Sequence, residues 1–232
     1  MQKENSMTIK RTIALLLTYF IGYLWLVPQI AAFLTLCIDP QARYFNVGVL
    51  TILYIVLILL CVALSWNEWK RSFHMIKKEP AKALIRTVTG GVLAIVLNVI
   101  LSLLCGALSG QSDSANQEVI QANVVIAPYF MLFSIMIFAP MVEESVFRGG
   151  VFACTRRYFG FWAAALISAF AFGWIHVMDS FFAGQWQDLI YLIVYGGIGL
   201  FNAWYYEHHG GIIASAGVHL FNNLISYIAM IL

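Results

Sequence analysis

Residues 123–141 read NVVIAPYFMLFSIMIFAPM, a run with no charge, and the chain then continues VEESVFR through Arg148. A membrane-spanning helix needs about 20 mainly apolar residues, so this run is long enough to cross a bilayer. Glu143, Glu144 and Arg148 sit at its far end. An ionisable group at the centre of a bilayer helix costs roughly 2.5–3.5 kcal/mol on insertion scales, and such groups usually face a bundle interior or a wet cavity. The stretch therefore points to a membrane fold and, at the same time, to a polar centre inside it.

Composition extends this reading to the whole chain. Of 232 residues, 62% are hydrophobic and 10% charged, whereas soluble domains carry about 25% charged residues. Apolar runs fall at 12–38, 46–66, 86–108, 123 to about 157, 161–178, 188–206 and 211–232. All must be helices, because backbone groups in hydrocarbon need partners within their own segment. The fourth is too long for a simple span and contains Pro140, which is expected to kink or split it. The expected fold is thus an all-α polytopic membrane bundle of seven to eight transmembrane helices around an intramembrane polar cavity. It forms one integral membrane domain, 1–232, with no separate soluble domain.

The first run is too long for a signal-peptide core and lacks an obvious small-residue cleavage site, so it reads as a retained span. Cys37, Cys61, Cys105 and Cys154 lie in or beside apolar runs without CxxC spacing and read as reduced, buried small hydrophobes. Net charge is only +2, and no nucleic-acid partner is expected. Basic residues cluster before the first run (Lys3, Lys10, Arg11), between the second and third (Lys70, Arg71, Lys77, Lys78, Lys82, with Arg86 at the next span) and at Arg156–Arg157. The connections 109–122 and 179–187 contain no Lys or Arg, and 39–45 only Arg43. This alternation predicts a cytoplasmic N-terminus and an external C-terminus. The basic connection 67–85 reads as an interfacial amphipathic helix touching lipid headgroups.

Depth brings three polar residues together. From the turn near Gly160, Glu143 lies about 16 residues back and His176 about 17 forward, so at ~1.5 Å per residue both are roughly 24 Å from the turn. If that turn protrudes by about 10 Å, both lie some 14 Å deep, and His219, eight residues into the last span, lies at about 12 Å. Glu144 and Arg148 are i and i+4, the better orientation for an ion pair, which leaves Glu143 free. His219 and Asn223 also share a face, with Asn222 beside it. Taken singly, an ion pair, an interior histidine and a helix-joining asparagine each read as structural, the last worth about 1 kcal/mol or less. Convergence at one depth favours a functional cavity.

Elsewhere the pattern is quieter. His208 and His209 read as a solvated turn, and the glycines at 149–150 and 196–197 as close helix packing. Trp66, Tyr205 and Tyr206 read as interfacial anchors. No HExxH, GxSxG or nucleotide fingerprint occurs.

Three motifs in the second half, roughly 123–232, resemble those of the CAAX prenyl protease and bacteriocin-processing (CPBP, or Abi) family of membrane proteases. EExxxR is matched by Glu143, Glu144 and Arg148, FxxxH by Phe172 and His176, and HxxxN by His219 and Asn223. The first half resembles the family only as generic membrane helices. The resemblance implies glutamate-dependent peptide hydrolysis within the membrane, without a cofactor. Glu143 with His176 would activate a water, His219 and Asn223 would stabilise the oxyanion, and Glu144 with Arg148 would support them. The implied substrate is a hydrophobic or lipidated peptide reached from the cytoplasmic side of a bacterial cell membrane. The implied roles are bacteriocin self-immunity or peptide maturation. Membrane lipids are the other partners, and the sequence leaves the oligomeric state open. Two other readings stand beside it. Glu143, His176 and His219 could form a His2Glu zinc site of a metalloprotease, or the protein could be a non-catalytic scaffold or a transporter, although no half-to-half symmetry is visible.

Overall fold

Seven of the apolar runs form helices long and apolar enough to cross a membrane in a computed structural model describing residues 7–231. Lys3, part of the basic N-terminal segment, and Leu232, the end of the last expected span, lie outside the described residues. The spans are α1 (Ile9–Ile38), α2 (Val47–Leu64), α4 (Pro80–Ser109), α6 (Pro128–Thr155), α7 (Phe161–Phe182), α8 (Trp186–His209) and α9 (Ile212–Ile231). Two shorter helices, α3 (Trp66–Lys78) and α5 (Ala115–Ile126), lie between them. Among the described residues there is no strand.

Local chemistry sets the boundaries. Asn46 caps α2 by accepting from the Val49 amide, while its own amide donates to Thr35 Oγ1 at 2.8 Å and closes the α1–α2 turn. Ser114 caps α5 through the Gln117 amide. The fourth span begins at Pro128 rather than near Asn123. Ala127 leaves the helical region at φ −140°, ψ 65°, as the residue before a proline tends to do, so residues 123–126 end α5 instead. Pro140 does not split α6. Shortly before it, Ser134–Phe138 take π-helical hydrogen bonding, which accommodates the missing amide donor without breaking the helix. The span count among the described residues is therefore seven.

Packing is inside-out relative to a soluble protein. Large apolar side chains such as Ile52, Leu59 and Leu103 are exposed on the outer faces of α2 and α4, whereas α6 runs through the middle against α1, α2, α7, α8 and α9. Cys61, Cys105 and Cys154 are buried as expected, but Cys37 is exposed near the end of α1. Helices α7 and α8 meet closely at Gly173, where an added β-carbon would lie 2.9 Å from the Gly196 backbone nitrogen. Small residues at such crossings let membrane helices meet backbone to backbone. Gly173→Val is expected to cost about 1–3 kcal/mol by overpacking. A lowered unfolding midpoint in detergent would register this, and an unchanged midpoint would mean the two helices have room to separate.

The basic connection is helical as expected over α3, and one face of that helix packs against the bundle. Ser72 donates to the Gly210 carbonyl and accepts from the Ile213 amide at 2.9 Å. Those atoms belong to the α8–α9 turn, where Gly210 and Gly211 have φ of 130° and 74°. Glu68 is buried, accepts from the Tyr206 hydroxyl and pairs with Arg71 at 2.7 Å. Tyr206 is therefore a buried link between α8 and α3 rather than an interfacial anchor. Trp69 Nε1 donates to Ser145 Oγ on α6 at 3.0 Å. One face of α3 is thus bolted to the bundle beside the two glutamates.

Candidate active site

The polar centre forms where α6 is most enclosed. All nine residues of Glu144–Phe152 are buried, in a π-helical segment, a geometry often found at functional sites. Glu144 is completely buried, and its Oε1 gathers three partners: Arg148 Nη1 at 3.0 Å, His219 Nδ1 at 3.0 Å and Asn202 Nδ2 at 3.3 Å. Arg148, also fully buried, donates from Nη2 to the Gly199 carbonyl at 3.2 Å and lies 4.3 Å above the Phe172 ring. Burying these charges together with hydrogen bonds offsets the desolvation that either would suffer alone. The guanidinium face also gains from the aromatic ring beneath it.

Glu143 occupies a different environment. It is 9% exposed, and its Oε2 lies 3.8 Å from His219 Nε2. His219 therefore stands between the two carboxylates, with Nδ1 to Glu144 and Nε2 towards Glu143. Arg148 balances the charge of Glu144, so among the described residues Glu143 is the carboxylate of this centre without a permanent cation at contact distance.

His176 is held from another direction. Its Nδ1 lies 2.8 Å from the Phe172 carbonyl. A carbonyl only accepts, so Nδ1 carries the proton and the neutral ring presents Nε2 as an acceptor. The Phe172 ring lies between the two histidines, with centroids 4.8 Å from His176 and 5.9 Å from His219. Among the described residues no hydrogen bond or ion pair links Glu143 directly to His176; the imidazole nearest Glu143 is His219. Asn223 donates through Nδ2 to the Ile135 carbonyl on α6 at 3.0 Å, which leaves its second amide hydrogen available by valence. Asn222 faces α4 instead and accepts from Asn98 Nδ2 at 3.2 Å.

Sequence spacing did not pick out Asn202, the Gly199 carbonyl, Ser145 or the Arg148–Phe172 contact. Asn202 was visible as an amide inside an apolar run, the same signal that singles out Asn223. It has no partner within one helical turn, however, and meets Glu144 only across 58 residues of chain.

A zinc ion held by Glu143, His176 and His219 would require their donors to converge. Nδ1 of each histidine is held by another group, Glu144 for His219 and a carbonyl for His176, which leaves Nε2 as the available donor of each ring. Among the described residues no three His, Cys, Asp or Glu side chains are grouped to hold a metal.

A polytopic helical bundle that buries a Glu–Arg pair, a second carboxylate and an imidazole on one level is a membrane protein with an intramembrane polar centre. Residues 125–225 match the family described as Rce1-like, type II CAAX prenyl endopeptidase Rce1-like. This is the family that the three motifs resemble, and all three lie inside the matched segment. Residues 125–225 are accordingly similar to a family of CAAX-type membrane proteases. No curated protein and no solved structure matches the chain.

Proposed function

We propose that the protein is an intramembrane endopeptidase that hydrolyses a peptide bond in a membrane-associated or lipidated peptide, using a water activated by Glu143 and His176. The observation that carries this reading is the Glu143–His219–Glu144–Arg148 chain inside the matched segment, with distances of 3.8, 3.0 and 3.0 Å. It provides one carboxylate whose charge is not balanced by a fixed cation, in a site largely closed to solvent. Glu143 takes a proton from the attacking water, and His176 Nε2 orients that water as an acceptor. His219 Nε2, when protonated, and the spare Asn223 amide hydrogen donate to the oxyanion that forms on the scissile carbonyl. Donors held in place within a low-dielectric site need little reorganisation as that charge develops. Glu144 and Arg148 hold the His219 ring through Nδ1 and keep its Nε2 on the Glu143 side.

The distribution of Lys and Arg supports a cytoplasmic N-terminus, and with it entry of substrate from the cytoplasmic side. A bacterial cell membrane and a role in bacteriocin self-immunity or peptide maturation belong to the same reading. It is tested by cleavage of a panel of lipidated and unlipidated peptides in detergent, with and without chelator. Cleavage is expected to be lost in Glu143→Ala, His176→Ala and His219→Ala while folded protein still purifies, and to continue in chelator. Retained cleavage in Glu143→Ala sinks the mechanism. Loss in chelator with recovery on adding zinc replaces it with a metalloprotease.

A further inference from the structure

The geometry points to Tyr195 as a positioning residue for His176, an assignment that rests on the protease reading above and extends it. Tyr195 lies on α8, outside the three motifs. Its ring stacks on the His176 imidazole, with centroids 4.3 Å apart and planes 17° from parallel. The Phe172 carbonyl restrains Nδ1 of the same imidazole. One contact thus fixes the tautomer and one edge of the ring, and the other fixes its plane. Together they determine where Nε2, the atom assigned to the water, is aimed.

Tyr195 is itself anchored rather than free to swing. Its hydroxyl lies 2.6 Å from Ser114 Oγ and accepts from Asn116 Nδ2 at 3.2 Å. Both partners belong to the start of α5. That start is secured a second time by Asp188, which is buried, accepts from the Ala115 amide at 2.9 Å and accepts from Ser180 Oγ at 2.5 Å. Ser180 lies one turn beyond His176 on α7. The contacts close a circuit from His176 along α7 to Ser180, through Asp188 to the α5 cap, and back through Tyr195 to His176. Tyr195 also lines a cavity of about 350 Å³ with Asn98, Ser102, Ser114 and Gln117. The stacked ring therefore stands between that space and the imidazole. Local geometry of this kind matters because a misplacement of about 1 Å can cost on the order of a hundredfold in rate.

The test compares Tyr195→Leu and Tyr195→Phe for kcat and KM on a cleaved peptide, and for the His176 ring proton signals by NMR of histidine-labelled protein. In Tyr195→Leu, kcat is expected to fall about ten- to hundredfold with KM within about twofold. The upfield ring-current shift of His176 should disappear with it. Tyr195→Phe keeps the stacked face and should retain the shift and most of kcat. Wild-type kcat in Tyr195→Leu, a change confined to KM, or an unmoved His176 signal overturns the assignment. Should Tyr195→Leu not purify folded, Tyr195→Met, which fills a similar volume without a ring face, is read in the same way: the upfield shift of His176 should disappear, and an unmoved signal overturns the assignment as well. The NMR reading needs no turnover. Wild-type cleavage in Glu143→Gln therefore refutes the protease mechanism separately, with the Tyr195 contact still judged by its spectrum.

Discussion

Arg148→Met is expected to destabilise the folded protein by about 3–5 kcal/mol, the range for breaking a buried ion pair by removing one partner. Both side chains are 0% exposed, so the Glu144 carboxylate would keep its desolvation cost and lose its cation. The Gly199 carbonyl would lose its donor, and Phe172 would lose the charge above its ring. The measurement is the unfolding midpoint of detergent-purified protein, together with the yield of folded monomer. The double variant Glu144→Gln/Arg148→Met should recover more than half of the loss. A buried pair replaced on both sides leaves no orphan charge, and the introduced amide oxygen can still accept from His219 and Asn202. If Arg148→Met proved as stable as wild type, the Glu144–Arg148 pair would not be what holds α6 and α8 together at this level.

The second large effect concerns activity with folding preserved. Glu143→Gln should lower the rate of peptide cleavage by on the order of 10²–10⁴, the contribution of a positioned general base, while the unfolding midpoint stays near wild type. Glutamine matches glutamate in shape and keeps an oxygen facing His219, but it cannot take a proton from water. Glu143 has no ion pair with Arg148 to lose, and its contact with His219 is long at 3.8 Å. The contrast with Glu144 is therefore diagnostic: Glu144→Gln should act mainly on stability and Glu143→Gln mainly on rate. Equal effects of the two on both readouts would remove the division of labour.

Different parts of this arrangement were legible in the sequence to different degrees. The Glu144–Arg148 contact could be read directly, because i and i+4 lie on one helix and need no knowledge of any neighbour. That Glu143, His176 and His219 share a level was expected from depth along the spans, a one-dimensional quantity that length and hydropathy supply. The partner of Glu143 was harder to read. Equal depth allowed either histidine, and the structure brings His219 nearest while His176 is turned onto the Phe172 carbonyl and Tyr195. Depth says how far along a helix a residue lies, whereas facing direction depends on rotation about the axis.

That rotation explains why the remaining contacts were not visible. Helix α6 carries π-helical hydrogen bonding at Ser134–Phe138 and again at Glu144–Phe152. Each residue added to a turn rotates everything after it by roughly 100° relative to an uninterrupted α-helix. A 3.6-residue pattern therefore loses its bearing at the very residues of interest. Asn202, Tyr195 and Trp69 reach the centre from other helices and have no local spacing to reveal them.

Sequence alone was enough for the membrane class, for apolar spans numbering seven or eight, and for the adjacency of Glu144 to Arg148. These depend on hydrocarbon length, on backbone pairing within each segment and on contacts one turn apart. Only the tertiary structure decided that His219 stands between the two carboxylates, that Asn202 completes the Glu144 shell, that α3 is bolted beside them, and that Tyr195 backs His176. Each of those contacts joins residues far apart in the chain, and each is set by how helices rotate and close on one another once packed.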